Sequence, residues 1–297
     1  MSTVKVSIGV CTKNSQENIE ATLESIDKQC FTHNALKLIV VDDGSTDKTL
    51  SVVESFISHM DIENVLCSSG GKGLGLARQL VVDNAGGDYI IWVDDDMILK
   101  KDFVQKHIEF MERNPDVGGA FPRQILDENT LVSWMESINS MLSNPNPKAI
   151  GTGGSIFRVE AIREVGGFDP FIKGAGEDQD ISFRMRKVGW RLSRNSSAEL
   201  YHEAIDTWKS LWHRHFWYGY GLHLLFHKFQ VSPWRHFPPF SLWMGFRSSC
   251  SAYKATHTRT QKSIFLLLPI YYFFRSIASL FGFISSHLKG YGHVYVR

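Results

Sequence analysis

Short apolar runs alternate with segments of helical periodicity along the first hundred residues of this 297-residue chain. Runs rich in β-branched residues predict strands at Val4–Val10, Leu36–Val41 and Tyr89–Val93. Apolar residues that recur every three or four positions predict helices at 17–27, 50–57, 74–84 and 181–188. Strands that alternate with helices predict an α/β fold with a doubly wound, mostly parallel sheet, which binds ligands at the carboxyl ends of its strands.

Acidic residues directly follow two of the predicted strands. Asp42 and Asp43 end the second strand, and Asp94, Asp95 and Asp96 end the third. Carboxylates this close repel one another unless a cation lies between them, and hard oxygen ligands suit Mg²⁺ or Mn²⁺. The triplet therefore indicates a divalent metal site, with a solvated acidic turn as the alternative. The earlier pair indicates contact with a nucleotide base or ribose, or a cap of the following helix.

A third acidic segment opens the predicted helix at 181–188. Glu177, Asp178 and Asp180 follow the glycine-containing stretch 174–176. Carboxylates are favoured at a helix N-terminus by the macrodipole, so capping is one interpretation. The other is a general base that takes a proton from a hydroxyl nucleophile.

Small residues and one histidine complete the candidate chemistry. The stretch 70–75 lacks the spacing of a Walker motif or a dinucleotide fingerprint, so we interpret it as a loop from which Lys72 reaches the nucleotide. Gly153 and Gly154 lie in a run of small residues that a substrate can approach closely. His202, if it is not a structural histidine, completes a Mn²⁺ site with the acidic triplet, because imidazole suits Mn²⁺ better than Mg²⁺.

Charge divides the chain near Asp206. Beyond it there is no Asp or Glu, whereas 11 of the 32 Lys and Arg and five of the eight Trp lie there. Nucleic acid attracts basic tails, but interleaved Leu, Phe and Trp suit the headgroup zone of an anionic membrane better. We therefore expect residues 206–297 to contact an anionic membrane surface and no nucleic acid.

The basic region contains two predicted helices. Apolar residues at helical spacing predict one at 208–229. The run from Ile264 to Ile284 would form a helix of about 31 Å, long enough to span a bilayer. Pro269, Arg275 and a stripe of small polar residues argue against a simple span. We favour helices that lie in the membrane interface over a single C-terminal span, and a buried core helix is the third alternative.

The cysteines bear on localisation. Cys11, Cys30, Cys67 and Cys250 are too scattered for a zinc module, and no apolar signal region precedes the first strand. Four free, buried thiols and a location at the cytoplasmic side of the cell membrane are expected.

Five motifs in this order resemble inverting glycosyltransferases of family 2, which have the GT-A fold. The matching segments are Val6–Asn14, Val40–Asp47, Asp94–Asp96, Gly166–Asp169 and Gly176–Asp180. The resemblance covers residues 1–205 and implies a GT-A domain that binds a nucleotide sugar and catalyses transfer. Residues 206–297 are then a separate, helical region for membrane association.

The resemblance also implies roles for individual residues. Thr12 and Asp43 would contact the nucleotide base. Asp94 and Asp96 would hold the donor diphosphate and its Mn²⁺ or Mg²⁺ ion, with His202 as a further ligand.

Asp178 would be the catalytic base, and Gly153, Gly154 and Glu177 are candidates for contact with the donor or acceptor sugar. The Gln-x-x-Arg-Trp signature of processive synthases is absent from the sequence, which favours transfer of a single sugar. The resemblance and the membrane-like tail together imply an enzyme that moves a UDP- or GDP-linked sugar to a lipid-linked saccharide or polyprenyl phosphate. A soluble transferase for a free glycan or protein and a non-catalytic membrane scaffold are the alternatives.

Overall fold

The computed structural model describes residues 5–203, 205–230, 240–255 and 264–290. The chain forms two compact units. The first comprises Met1–Ile125, Asn144–Lys173 and Glu177–Glu203, and the second comprises Leu126–Ser143, Gly174–Gly176 and Ala204–Arg297. Residues 126–143 thus belong to the second unit, whereas the boundary predicted from the sequence at residue 205 assigns them to the first.

The first unit is built on one eight-stranded sheet. Its strands are β1 (Val6–Thr12), β2 (Leu36–Asp42), β3 (Glu63–Ser68), β4 (Tyr89–Asp94), β5 (Met97–Leu99), β6 (Val117–Ile125), β7 (Ile156–Arg158) and β8 (Arg191–His202). They lie in the order β3-β2-β1-β4-β7-β6-β8-β5. The first four pair in parallel, which confirms the fold predicted from the alternation of strands and helices. Strand β7 is antiparallel to β4 and β6, and β5 is antiparallel to β8.

Ten α-helices and one short 3₁₀ helix are present in the described residues. They are α1 (Ile19–Asp27), the 3₁₀ helix His33–Ala35, α2 (Thr49–Ile57), α3 (Leu74–Asn84), α4 (Phe103–Arg113), α5 (Leu131–Met141), α6 (Val159–Glu164), α7 (Glu177–Lys187), α8 (Trp208–Phe229), α9 (Phe240–Ala255) and α10 (Ile264–Lys289).

The two faces of the sheet form separate cores because successive strand residues point to opposite sides. On β4, Ile91 and Val93 join a core with α1, α2 and α4. The alternate residues Ile90 and Trp92 join a second core with α3, α6 and α7. With helices on both faces, β1, β2 and β4 are almost fully buried, and their carboxyl ends meet at one edge.

The described part of the second unit contains α5, α8, α9 and α10. Residues of α5, α8, α9 and α10 share one apolar core, which includes Met135, Leu211, Ala252 and Leu268. Helix α8 is the helix predicted at 208–229. It begins after Thr207, whose side chain accepts a hydrogen bond from a backbone N–H in the first turn.

The small polar stripe on α10 is a helix–helix contact. Ser279 Oγ donates a hydrogen bond of 3.0 Å to the carbonyl of His215 on α8. A Cβ at Gly282 would lie 1.9 Å from the carbonyl oxygen of Phe216, so only glycine allows the two backbones to approach this closely. The stripe therefore packs α10 against α8.

Arg275, the charge expected to disfavour a membrane span, is paired within this unit. Its Nη1 donates to the Tyr271 hydroxyl at 2.8 Å, and that hydroxyl donates to Glu136. Among the described residues, one helical segment, Leu267–Lys289, is long and apolar enough to cross a membrane. Core helices of soluble proteins can pass the same test, but only 22% of the most apolar stretch of this one is buried.

Parts of the basic region lie outside the described residues: 231–239, 256–263 and 291–297, which include Trp234, Arg235, Arg259, Lys262 and Arg297.

The expectation of buried thiols is wrong. Cys30 is exposed and the other three cysteines are half-buried, although all four are free.

Candidate functional site

The acidic triplet forms the tight turn between β4 and β5. Strand β4 ends at Asp94 and β5 begins at Met97, so Asp95 and Asp96 are the turn residues. Met97 lies opposite His202 in the antiparallel β5–β8 pair. This register places His202 Nε2 3.5 Å from Asp96 Oδ1, so the structure brings the predicted imidazole and carboxylate together.

These groups fit a divalent cation. Neighbouring ligands of an octahedral ion with bonds of about 2.1 Å lie roughly 3.0 Å apart, close to the separation of Asp96 and His202. The side chain of Asp94 is 40% exposed and can be reached from solvent. A set of carboxylates with one imidazole is suited to Mn²⁺.

The middle carboxylate of the triplet has a different partner. Asp95 Oδ2 accepts hydrogen bonds from Thr12 Oγ1 at 2.6 Å and from the backbone N–H of Lys13 at 3.4 Å. Burial raises the pKa of Asp95, and the hydrogen bond from Thr12 opposes the rise. Asp95 therefore fastens the end of β1 to the triplet, and the hydroxyl of Thr12, predicted to contact the base, is engaged in this bond.

The Asp42-Asp43 pair stabilises two loops and does not cap α2. Asp42 accepts from the backbone N–H groups of Gly44 and Ser45 and so closes its own turn. Asp43 Oδ1 accepts from Ser69 Oγ and from the backbone N–H of Gly73 at 2.9 Å. Asp43 therefore ties β2 to the glycine-rich loop.

In the glycine-rich loop 70–75, Gly73 is required both for its backbone conformation and for its close packing. Gly73 has φ of +103°, and a Cβ there would lie 2.5 Å from the carbonyl oxygen of Lys173. Lys72 is exposed on this loop. Lys13 Nζ lies 3.6 Å from Asp43 Oδ2, so a second lysine is present at the same loop junction.

A buried arginine, which the sequence reasoning missed, lies between the acidic segments. Arg78 on α3 is 5% exposed. Its Nε lies 3.1 Å from Glu177 Oε1, and its Nη2 lies 3.6 Å from Asp94 Oδ1. Its guanidinium also stacks over the Trp92 ring. The buried cation thereby fixes the start of α7 and the end of β4 relative to each other.

The three carboxylates in the first turn of α7 have different surroundings. Glu177 is paired with Arg78, and Asp180 is bound by Arg184 at 2.6 Å. Asp178 is half-buried and makes no ion pair within the described residues; its Oδ1 accepts a hydrogen bond from the adjacent N–H of Gln179 at 2.6 Å. Burial raises the pKa of Asp178, and the charge of Arg78 opposes the rise. Asp178 thus differs from its two neighbours in having no ion-pair partner among the described residues.

The loop of small residues at 151–154 lies close to both carboxylates. A Cβ at Gly153 would lie 2.7 Å from Asp94 Oδ2, and one at Gly151 would lie 3.6 Å from Asp178 Oδ2. Gly154 instead faces Leu200 and has φ of +74°. The loop therefore lies beside both the end of β4 and the start of α7.

We expect Arg78→Met to destabilise the protein by about 3–5 kcal/mol, because it would leave Glu177 as a buried charge without a partner. Denaturant unfolding followed by circular dichroism measures the change. Arg113→Met is the matched control, since Arg113 is 76% exposed in its pair with Glu109 and should change stability by about 0.5 kcal/mol or less. Equal, small effects in both variants would contradict a structural role for Arg78.

Comparison with known proteins identifies the family. The sequence model of glycosyl transferase family 2 matches residues 7–166, and that of glycosyl transferase family group 2 matches residues 89–286. The two matches together cover the acidic triplet, the segment around Asp178 and most of the helical region.

Relatives of known name are similar over different lengths. A glucosyl-dolichyl phosphate glucuronosyltransferase of Haloferax volcanii is 26% identical over 253 residues, which are 73% of this chain and 76% of that protein. The poly(ribitol-phosphate) β-N-acetylglucosaminyltransferase TarS of Staphylococcus aureus is 30% identical over 111 residues, 37% of this chain but only 19% of TarS.

Solved structures share the fold. The mannosyltransferase PcManGT of Pyrobaculum calidifontis, in complex with GDP-Man and Mn²⁺, has a TM-score of 0.65 at 17% identity, over 93% of this chain and 87% of that one. TarS 1-349 in complex with UDP has a TM-score of 0.56 at 19% identity, over 99% and 93%. With family models that match more than half of its residues, the chain belongs to glycosyltransferase family 2, has the GT-A fold and is a glycosyltransferase.

Proposed function

We propose that this protein transfers one sugar, with inversion of configuration, from a UDP- or GDP-linked donor to a lipid-linked saccharide or a polyprenyl phosphate. The observation that carries the proposal is the convergence of three groups in the first unit. These are the Asp96–His202 pair, the adjacent Asp94 and the proton acceptor Asp178.

Donor binding is assigned to the edge of the sheet where β1, β2 and β4 end. Asp43 and Thr12 lie there with Lys13 and the exposed Lys72. Family members with this fold bind UDP and GDP-mannose, which supports a nucleoside diphosphate sugar as the donor. The lysines supply positive charge for a ligand that carries a diphosphate.

Asp94, Asp96 and His202 would hold Mn²⁺ or Mg²⁺. Such an ion neutralises the negative charge that develops on the leaving diphosphate. PcManGT was solved with Mn²⁺, which supports a divalent metal here. Gly153 keeps this end of β4 open, since any side chain at that position would fill the space beside Asp94.

Where the acceptor is a hydroxyl of a lipid-linked saccharide, Asp178 would take its proton; a polyprenyl phosphate would attack through an oxygen that is already ionised and would need no base. The hydroxyl oxygen then forms a bond to the anomeric carbon while the bond from that carbon to the diphosphate breaks, so configuration inverts in a single displacement. Arg78 acts as a positioning residue, because it holds Glu177 next to Asp178 and contacts Asp94.

The activity should be lost at acidic pH. Asp178 accepts a proton only when it is ionised, and burial raises its pKa, so the acid limb of kcat/KM should lie above the ordinary value of about 3.9. Activity then falls as pH decreases through the raised pKa. A pH profile measured at two Mn²⁺ concentrations tests this, because a limb caused by competition between protons and metal would move with Mn²⁺. A limb at or below the ordinary value would contradict the assignment.

Membrane association of the second unit would bring the enzyme to a lipid-linked acceptor. Large apolar side chains are exposed on α9 and α10, among them Trp243, Phe246 and Phe281, each more than half exposed. The apolar segment Leu267–Lys289 lies on α10. The glucuronosyltransferase of H. volcanii acts, by its name, on a glucosyl-dolichyl phosphate, which supports a polyprenyl-linked acceptor.

The full-length protein should float with anionic vesicles, and serine at Trp243, Phe246 and Phe281 together should weaken binding by about tenfold or more, because each side chain loses apolar area to bury. Liposome flotation at moderate salt measures this. Phe171→Ser is the control, since Phe171 is 82% exposed but belongs to the first unit.

Three outcomes are informative. Wild-type protein that stays soluble without detergent and does not float would contradict membrane association. Flotation that survives carbonate washing would favour a span over interfacial helices. If the triple variant and Phe171→Ser lost vesicle binding to the same extent, the contact of the protein with the vesicles would be non-specific.

The transfer reaction is tested with a panel of UDP- and GDP-sugars, Mn²⁺ or Mg²⁺, and polyprenyl phosphate or its glycosylated form in anionic vesicles. Mass spectrometry of the lipid should show the addition of one sugar. Transfer only to water-soluble glycan or polyol-phosphate polymer, the acceptor class in the name of TarS, would favour the soluble alternative. If no nucleotide sugar binds in a metal-dependent way, the alternative of a non-catalytic membrane scaffold would be favoured.

A further inference from the structure

Three histidines converge in the second unit, where family 2 chemistry gives them no role. His223 and His227 lie one turn apart on α8, and His287 lies in the last turn of α10. One ring nitrogen from each lies within 4.8 Å of the corresponding nitrogens of the other two. His223 is 9% exposed, whereas His227 and His287 are exposed, so solvent reaches the cluster from one side.

The ring nitrogens crowd around one point. His223 Nε2 lies 3.1 Å from His227 Nε2 and 3.1 Å from His287 Nδ1. The other nitrogen of His223, Nδ1, lies 3.4 Å from Ser286 Oγ and can donate its hydrogen there. His223 Nε2 then has a single lone pair facing two imidazoles, which hydrogen bonds between neutral rings satisfy poorly. A cation among the three rings would use all three lone pairs.

Two of the three nitrogen separations are close to those around a tetrahedral ion, and the third is at most 4.8 Å. Ligand nitrogens bonded to Zn²⁺ at about 2.0–2.1 Å lie roughly 3.3–3.4 Å apart, so the two separations of 3.1 Å need only small ring movements. The bond from His223 Nδ1 to Ser286 is the outer contact that commonly orients a zinc-bound imidazole.

The helix ends also favour a cation. His227 lies in the last turn of α8 and His287 in the last turn of α10. The C-terminal end of a helix carries the negative part of its dipole, so two such ends meet at the cluster. Lys228 and Lys289 follow nearby, but their long side chains can extend into solvent.

We propose that His223, His227 and His287 bind Zn²⁺ through three neutral imidazoles, with the fourth position left to solvent. The ligand set contains nitrogen only, which favours zinc over the harder Mg²⁺ and Mn²⁺ assigned to the carboxylates of the first unit. The ion would clamp the C-terminal ends of α8 and α10 together.

The test uses untagged full-length protein with Asp96→Asn, which takes away one of the side chains proposed to hold metal at the donor site and so should weaken zinc binding there. After treatment with a chelator, titration with Zn²⁺ should show about one ion per chain, and Co²⁺ should give the visible absorption of a tetrahedral complex. His227→Ala and His287→Ala should each weaken zinc binding by about 100-fold or more. Both side chains are exposed, so these variants should fold.

His213→Ala is the matched control, because His213 is also exposed on α8 but lies outside the cluster. His213→Ala should bind zinc as strongly as the Asp96→Asn protein into which it is introduced. Zinc should raise the melting temperature of these two proteins but not that of the His287→Ala variant. Zinc binding that survives in the His227→Ala, His287→Ala double variant would overturn the proposal. A folded Asp96→Asn protein that neither binds zinc nor melts at a higher temperature with zinc would also overturn the proposal, since the cluster would then be hydrogen-bonded histidines only.

Discussion

Asp96→Ala is expected to abolish sugar transfer while the protein stays folded. Asp96 is half-buried in the β4–β5 turn, and its carboxylate lies 3.5 Å from His202, where it would share a metal ion. Loss of the charge stabilisation that such an ion gives the leaving diphosphate should reduce turnover by about 10²–10³-fold or more. Turnover with a nucleotide sugar and Mn²⁺, together with circular dichroism, measures the two properties separately.

Two further variants make this result specific. Asp61→Ala, at an exposed position outside the site, should keep full activity. His202→Asn should keep some activity but require more Mn²⁺ and discriminate less against Mg²⁺, because the imidazole is the ligand that prefers Mn²⁺. Normal Mn²⁺-dependent turnover in Asp96→Ala would remove the metal assignment and leave the acidic triplet as a structural turn.

Of the four neighbouring parallel strands, β1, β2 and β4 were predictable because each carries its signal locally, whereas β3, a partly exposed edge strand, was not predicted. The strands that end at Asp42 and Asp94 are buried on both faces and read as continuous apolar runs, which are typical of parallel strands. The antiparallel strands β5 and β7 were not predicted. Each has three residues, too few for a recognisable period, and their pairing depends on residues far away in the sequence.

The site was predicted in part for the same reason. The acidic triplet follows a clear strand, and the resemblance to family 2 pointed to His202, which β5–β8 pairing places beside Asp96. Arg78 gave no such signal. An arginine within a helix is normally solvent-exposed, and its partner Glu177 is 99 positions away. The pairing of Arg78 with Glu177 is visible only in the folded structure, where α3 and α7 bring the two side chains together.

The extent of the second unit could not be predicted from amino-acid composition alone. The excess of basic and aromatic residues suggested a boundary near residue 205, yet α5, from the middle of the sequence, shares the core of α10. The segment 126–143, which contains α5, is amphipathic and acidic, with three carboxylates and no Lys or Arg, so its composition resembles the first unit and not the basic region. Only tertiary contacts assign it.

Asp178→Asn should bind the donor normally but lose sugar transfer by about 10²-fold or more. Asparagine has the same shape and can still accept the hydrogen bond from the N–H of Gln179, so the start of α7 should keep its structure. It cannot take the proton of the acceptor hydroxyl. Donor affinity from calorimetry and kcat from a transfer assay should therefore respond differently, with kcat alone reduced.

The neighbouring carboxylates provide the controls, because each has an ion-pair partner, whereas Asp178 has none in the part of the chain that the structure describes. Glu177→Gln weakens the contact with buried Arg78, and Asp180→Asn weakens that with Arg184, so both should lower the free energy of unfolding. Neither should remove transfer from the molecules that remain folded. If Asp178→Asn kept its kcat while a folded Glu177→Gln or Asp180→Asn protein lost sugar transfer, the base would be Glu177 or Asp180, whichever variant lost transfer. The ion pairs at the start of α7 would then have to open during the reaction, a rearrangement that Asp178 as the base does not require.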